Sequence, residues 1–331
     1  MKQSRPALFD VVTIGGATRD IFVSSKHFAE KRSNAAPDGL DAIIPLGAKI
    51  AVDDITFETG GGATNAAVTF AHFGLKTACI ARVGDDFSGR GVIHELDEAK
   101  VNTSMIEMDP KERTAQSIIL LAGAGHRAIL TARGASSQLE KNKIDWKKLS
   151  TNWIYQTSIA GNKKLLAEIF SYAKRTLTHV AWNPGESEIT LGLKTLMPFL
   201  LQTDVLIMNL EEAAELADCA PRKLDCIVKT LGALPRMALV VTDGMHGAYA
   251  HTRGTTWHAQ ALKGKIINTT GAGDAFGSAF VASLARTGDL DVALRHGTVN
   301  AFGVVTHMGA KAGILPHAPT AAQLARVRVT E

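Results

Sequence analysis

The first apolar run, residues 7–14, alternates little, as a strand buried on both faces of a sheet does. It ends at Gly15-Gly16 with Asp20 close behind. An acidic side chain past the carboxyl end of a parallel strand is placed to bind ligand hydroxyls; a loop Asp that caps a turn fits the same string. From Trp153 onward the rhythm is regular. Apolar runs at 153–157, 180–182, 204–208 and 238–242 predict strands. Segments with helical period at 163–176, 190–200, 211–217 and 222–234 predict the helices between them, with Pro221 in the first turn of the last. Residues 77–83 add a strand, and Gly84-Asp85-Asp86 turns into a helix ending near Ala99. Strand–helix alternation of this kind predicts an α/β fold, a mostly parallel sheet with helices on both faces.

Other β patterns fall outside that rhythm. Residues 49–58 read as one or two short strands, and 116–122 with 126–132 read as a hairpin turning at Gly123-Ala124-Gly125. These pieces predict a small accessory sheet. Residues 24–47 are polar, with Asn34, Pro37, Asp38 and Gly39 marking turns. No repeat or interdomain linker interrupts the chain, so residues 1–331 are expected to form a single domain with accessory strands inserted at about 20–58 and 113–134.

The stretch I-I-N-T-T-G-A-G-D-A-F, from Ile266 to Phe276, carries the chemistry. Two β-branched residues predict a strand end, Gly271-Ala272-Gly273 a turn, and an apolar helix starts at Asp274 or Ala275. Glycines before a helix let backbone N–H groups converge where the helix dipole favours negative charge, which makes an anion site. A carboxylate at its lip suits the acceptance of a proton from a hydroxyl attacking phosphorus; an N-cap role explains the same residue more blandly. Gly60-Gly61-Gly62-Ala63-Thr64-Asn65 likewise opens a helix, and Asn65 can both donate to and accept from a sugar hydroxyl.

Composition narrows the class. The 331 residues are 46% hydrophobic and 21% charged with a formal charge of +4, ordinary for a soluble globular protein. The lysines at 141, 143, 147 and 148 read as a solvated face, so no nucleic-acid partner is expected. No apolar run reaches membrane-spanning length, no signal-peptide core follows Met1, and a cytoplasmic location is expected. Cys79, Cys219 and Cys226 form no C-x-x-C pair and read as buried thiols in a reducing compartment. No Cys/His spacing suggests zinc.

Taken together, T-T-G-A-G-D-A-F (269–276), G-G-G-A-T-N-A-A (60–67) and V-G-D-D-F-S-G (83–89) resemble the ribokinase-like, PfkB-type carbohydrate kinases. Weaker matches are Asn209-x-x-Glu212, T-D-G-x-x-G at 242–247 and V-T-H-M-G-A at 305–310, so the likeness runs from Gly15 to about Gly313. The resemblance implies a ribokinase-like fold with a β-sheet lid that often pairs with a second subunit, here a homodimer. It implies ATP-dependent phosphoryl transfer to a small sugar or sugar derivative. Asp274 would be the general base, with the N–H groups of Gly271, Ala272 and Gly273 holding the transferring phosphoryl group. Asp20, Gly61, Gly62 and Asn65 would bind the acceptor. Asn209 and Glu212 would organise Mg²⁺ through water, and Thr242, Gly244 and Gly247 would line the nucleotide.

Two departures stand out. Asn268 replaces the family's usual Asp in a monovalent-cation loop that would also include Thr270, Val304, His307, Gly309 and Gly313, so K⁺ binding is expected to be weak. The 24–47 segment is longer than the usual connection into the lid. A nucleoside kinase of the same fold is the alternative, with Phe22, Phe28 or Phe57 facing the base. A phosphorylated acceptor would call instead on Lys26, Arg32, Lys49, Arg113 or Arg127. A non-catalytic sugar or nucleotide sensor is the reading from another class. A dinucleotide-dependent oxidoreductase is disfavoured, since Gly15-Gly16-Ala17-Thr18-Arg19-Asp20 lacks G-x-G-x-x-G.

Overall fold

The computed structural model describes residues 7–33, 40–121 and 127–331. Its frame is a nine-stranded sheet. In spatial order, Thr77–Ile80, Phe9–Ile14, Thr151–Gln156, His179–Trp182, Val205–Asn209 and Ala238–Thr242 run parallel. Ala248–Thr252, Thr255–Ala259 and Val329–Thr330 continue the sheet antiparallel. The expected mostly parallel α/β sheet is therefore present.

Strand residues alternate between two cores, as period-two side chains must. Val12, Ile14 and Ile154 pack on one face with Leu165, Ile169, Phe170 and Leu196 of the covering helices. Val11, Trp153 and Tyr155 pack on the other, against Phe70, Phe276 and Phe280. Each large apolar side chain so buried stabilises the fold by about 1.5–3 kcal/mol. On that second face Gly62–His72, Ala272–Thr287 and Leu290–Val305 lie together, which brings the two glycine-led helices side by side.

A separate four-stranded sheet is built from Arg127–Ala132, Ala115–Leu121, Thr18–Ser24 and Asp54–Gly60, in that order. Thr18–Ser24 runs antiparallel to Asp54–Gly60 and parallel to Ala115–Leu121. Register puts Asp20, Glu58 and Ser117 on one face and Ile21, Phe57 and Ile118 on the other. The 24–47 segment contains a further hairpin, Ala29–Arg32 with Leu40–Ile43. Its turn markers at 34–39 and the glycine turn at 123–125 lie outside the described residues.

Several local expectations are corrected. Residues 77–83 form two strands, and the second, Arg82–Gly84, pairs with Glu107–Asp109 in its own small sheet. The helix expected at 190–200 starts later, at Leu193–Leu200 behind Gly192 at φ +79°, and a separate short helix, Glu186–Ile189, precedes it. The last predicted helix is shorter, Leu224–Leu231, so Pro221 precedes it. Ile266 and Ile267 do not end a strand. They are exposed, and the Ile267 N–H donates to the Val305 carbonyl at the end of a helix, not to a neighbouring strand.

The cysteine reading is also overturned in part. Cys219 and Cys226 are joined by a disulfide. Left-handed Asp218 and Arg222 turn the chain back around Pro221 and bring the two Cα atoms to 6.1 Å, within disulfide range. Cys79 remains a free, buried thiol, pushed up to about 11 by desolvation.

Candidate active site

The carboxyl ends of the parallel strands converge on a cleft of about 200 Å³ lined by Gly16, Gly62, Thr157, Ser158, Asn183, Pro184, Gly185, Glu212 and Asp274. Gly271 caps the floor helix in the left-handed region at φ +79°, and that helix begins at Ala272, earlier than expected. A side chain at Gly271 would lie 2.7 Å from the Ala310 Cβ, so the turn demands glycine twice over. The first turn of any helix carries N–H groups with no intrahelical acceptor. Here the Ala272 N–H makes only a long contact, 3.3 Å, to the Thr269 carbonyl. A Cβ at Gly273 would meet nothing within 4 Å, so this glycine borders open space.

Asp274 stands in that first turn and faces the cleft. The Asn65 Nδ2 donates to its Oδ2 at 2.8 Å, so the two glycine-led helices meet side chain to side chain across 209 residues of sequence. Desolvation pushes the Asp274 carboxyl above the usual aspartate range, and the Asn65 hydrogen bond and the Lys311 charge oppose that rise. Asn65 is 2% exposed, and its Oδ1 has no partner among the described residues. Beneath Asp274 lies the Tyr155 hydroxyl, also without a partner there; burial first, and then the Asp274 charge, hold it protonated.

Asp20 sits above, 5% exposed, with its carboxylate accepting from the Thr18 hydroxyl at 3.0 Å. Burial raises its pKa as well. The G-G-G string is explained by contacts. Gly60 lies against the Asp20 carboxylate, Gly61 (φ +98°) against the Gly16 backbone, and Gly62 against Thr157. Asp20, Gly61, Gly62, Asn65 and Asp274 are thus brought together.

Asn209 and Glu212 close a capping box. The Asn209 Oδ1 accepts from the Glu212 N–H at 2.7 Å, and the Glu212 Oε2 accepts from the Asn209 N–H at 2.9 Å. Glu212 still borders the cleft; burial, and then the neighbouring Asp274, raise its pKa. Asn209 is registered beside Thr242 on the next strand. Thr242 leads into a tight turn in which Asp243 N–H donates to the Gly247 carbonyl at 2.8 Å, with Gly244 and Gly247 both at positive φ. Arg222 from the disulfide loop pairs with Asp243 at 2.9 Å.

Two of the expected cation-loop acceptors are already engaged. Asn268 Oδ1 accepts from the Thr270 N–H at 3.0 Å, and the Val304 carbonyl accepts from the His307 N–H at 3.0 Å. Asn268 Nδ2, a donor, is buried without a partner among the described residues. A donor where a carboxylate would stand fits a cation poorly. Gly309 packs on the Glu58 side chain, and Gly313 against Gly303.

Gly16, Thr157 and Ser158 line the cleft without having been singled out as ligand-binding residues. The strand-end position of Thr157 was the one signal available. Lys311, buried behind the site, gave none: in sequence it is a lone charge among small and apolar residues.

The sequence pattern of pfkB family carbohydrate kinases matches residues 35–318. A 5-dehydro-2-deoxygluconokinase of Bacillus velezensis is 27% identical over 272 residues, 75% of this chain and 79% of the relative. The structure of Arabidopsis thaliana ribokinase with ribose and ATP superposes at a TM-score of 0.77 and 18% identity, covering 96% of this chain and 98% of that one. Adenosine kinase from Sinorhizobium meliloti does so at 0.78 and 19%, covering 94% and 98%. At such identities the two structures speak for the fold. The matched span takes in both glycine motifs and most of the chain, and on that ground the chain belongs to the pfkB family of carbohydrate kinases.

Proposed function

We propose that this kinase moves the γ-phosphoryl group of ATP to a hydroxyl of a small sugar or sugar derivative, with Asp274 as general base. The observation that carries the reading is the Asp274 carboxylate, set in the first turn of a glycine-capped helix and oriented by Asn65 at 2.8 Å. Phosphoryl transfer asks for positioning and charge stabilisation. The carboxylate takes the acceptor proton as the new P–O bond forms and the bond from the γ-phosphorus to the departing ADP breaks. The N–H groups of Gly271, Ala272 and Gly273, at the positive end of the helix dipole, stabilise the oxygens of the group in flight. Asp20 and the free Oδ1 of Asn65 hold acceptor hydroxyls, beside Gly61 and Gly62.

Thr242, Gly244 and Gly247 are assigned to the nucleotide. Glu212 retains a carboxylate oxygen beyond its capping bond, and Asn209 and Glu212 would hold Mg²⁺ through water, where the ion shields phosphate charge. The acidic field shared by Glu212 and Asp274 supports a cation there. K⁺ is assigned at most a minor role.

We read residues 1–331 as one domain, with the four-stranded sheet as its lid and a homodimer formed through that lid. The outward face supports this, since Ile55, Phe57, Ile118 and Leu130 are all exposed. Use of ATP favours the cytoplasm, and no helix among the described residues is long and apolar enough to cross a membrane. A nucleoside acceptor is the second reading. It is supported by Phe22, which shares the inward face of the small sheet with Asp20, whereas Phe57 faces outward.

The test is ATP consumption with Mg²⁺ over ketoses, aldoses, their monophosphates and nucleosides. Turnover with one acceptor class, abolished by Asp274→Asn, is the expected result. Ligand-induced stabilisation with no turnover on any acceptor would replace the kinase reading with that of a sensor.

A further inference from the structure

The acceptor end of the cleft contains an arrangement that the transfer chemistry does not require. Asp20 and Glu58 sit directly opposite one another on the inward face of the small sheet. Like charges in that position destabilise a strand pair. Behind them Lys311 is 6% exposed and is the single buried lysine or arginine among the described residues. Its ammonium donates to the Thr59 hydroxyl and pairs with Glu95 Oε1 at 3.7 Å, while Thr59 donates to the other Glu95 oxygen. Asp20, Glu58, Cys79 and Glu95 all face it electrostatically, and its charge also reaches Asp274. Glu95 thus pairs with the ammonium directly, while Asp20, Glu58 and Asp274 act on it only through their charge.

The other cations point elsewhere. Lys26 pairs with Asp53 at 4.0 Å in solvent. Arg19 lies over the outward Phe57 ring, 5.6 Å from its centroid. Arg32, Lys49 and Arg113 are exposed. Arg127 bonds the Thr269 hydroxyl, on the loop leading into the anion site. That contact serves the phosphoryl end of the cleft, not the acceptor end. The partnerless Asn65 Oδ1 beside Asp274 is an acceptor, which asks for a ligand donor.

We propose that Asp20 and Glu58, opposed on the inward face of the small sheet above Asp274, select an uncharged polyhydroxy acceptor and reject phosphorylated or carboxylated sugars. The inference rests on the kinase reading and narrows its substrate class. Carboxylates accept hydrogen bonds from hydroxyls, whereas an anionic acceptor would enter a field of excess negative charge with its water removed. Lys311 acts as a positioning residue. Through Thr59 it ties the small sheet to the loop that backs Gly271, so the acceptor wall and the anion site keep one geometry.

Calorimetric binding to the full chain tests this without needing turnover. The probes are neutral pentoses, hexoses and nucleosides, set against the matching sugar monophosphates and sugar acids. Binding of a neutral acceptor at least roughly a hundredfold tighter than its anionic counterpart is expected. Glu58→Gln should narrow that ratio by roughly tenfold, the effect of one charge in a partly desolvated site. An anionic acceptor that binds as well as or better than its neutral counterpart overturns the proposal, as does failure of every neutral probe. Selective neutral binding without turnover upholds it while sinking the kinase reading alone. Lys311→Met leaves Glu95 unpaired and endangers folding, so the Lys311→Met/Glu95→Gln pair is the informative variant. The expected result is a weaker acceptor KM with ATP binding intact; an unchanged acceptor KM would reduce Lys311 to a packing residue and remove the positioning role.

Discussion

The cleft floor and the small sheet above it are built in different ways. The floor is made of backbone: helix starts and glycine turns at the ends of parallel strands, with Gly271 and Gly62 pressed against Ala310 and Thr157, leaving no room for a side chain. The small sheet is made of side chains. Its inward face carries Asp20, Glu58 and Phe22, and its outward face leaves Ile55, Phe57 and Leu130 in solvent. A backbone site is rigid and indifferent to which acceptor arrives, which suits chemistry common to many substrates. A side-chain wall on a thinly packed sheet is adjustable, and the proposed mechanism assigns specificity to it. Damage to the floor should therefore remove turnover, and damage to the sheet should change preference or assembly.

The largest effect is expected at Asp274, the proposed base. Asp274→Asn is expected to lower kcat by about 10²–10⁴-fold with an unchanged melting temperature. On the proposed mechanism Asp274 must be ionised to accept the proton, and burial raises its pKa. Activity should fall as pH drops through a value above the ordinary aspartate range, and an acid limb at or below that range would contradict the desolvated site. Next come the two glycines of the anion turn, which separate backbone strain from ligand access. Gly271→Ala, at φ +79° and against Ala310, is expected to cost about 1–3 kcal/mol of stability. Gly273→Ala meets open space and should fold normally while losing kcat. Equal melting temperatures for the two would undo that distinction.

Effects on the small sheet should be milder. Phe57→Glu places a charge on the outward apolar face, and light scattering should report monomers from a parent dimer, with kcat changed only a few-fold. A monomeric parent protein would remove the lid-to-lid contact altogether. The smallest effect is ionic. With Asn268 in the cation loop, K⁺ should stimulate less than about twofold over a control of matched ionic strength. Strong stimulation would mean that Asn268 and the engaged Val304 carbonyl rearrange around the ion.

Much of the site was legible before the fold was seen. The G-A-G-D and G-G-G-A-T-N strings sit before helices because only glycine tolerates those turns, and strand-end polar residues marked the cleft rim. Errors arose where a tertiary partner decides the outcome. Ile266 and Ile267 have strand propensity, yet their segment pairs with a helix end. Cys219 and Cys226 lack a recognised spacing, yet a backward turn joins them. The capping bonds between Asn209 and Glu212 are local and were set by spacing, but the approach of Glu212 to Asp274 required the sheet.

By itself, then, the sequence determined the strand–helix rhythm, the two glycine-led helix starts and the family, because these depend on backbone conformations that neighbouring residues dictate. The tertiary structure alone decided that Asn65 would orient Asp274, that Lys311 would be buried beside Glu95, and that Phe57 would face outward while Phe22 faced inward. Those outcomes depend on contacts between residues tens to hundreds of positions apart. Burial and charge partnership are properties of the assembled pair, and neither member carries them alone.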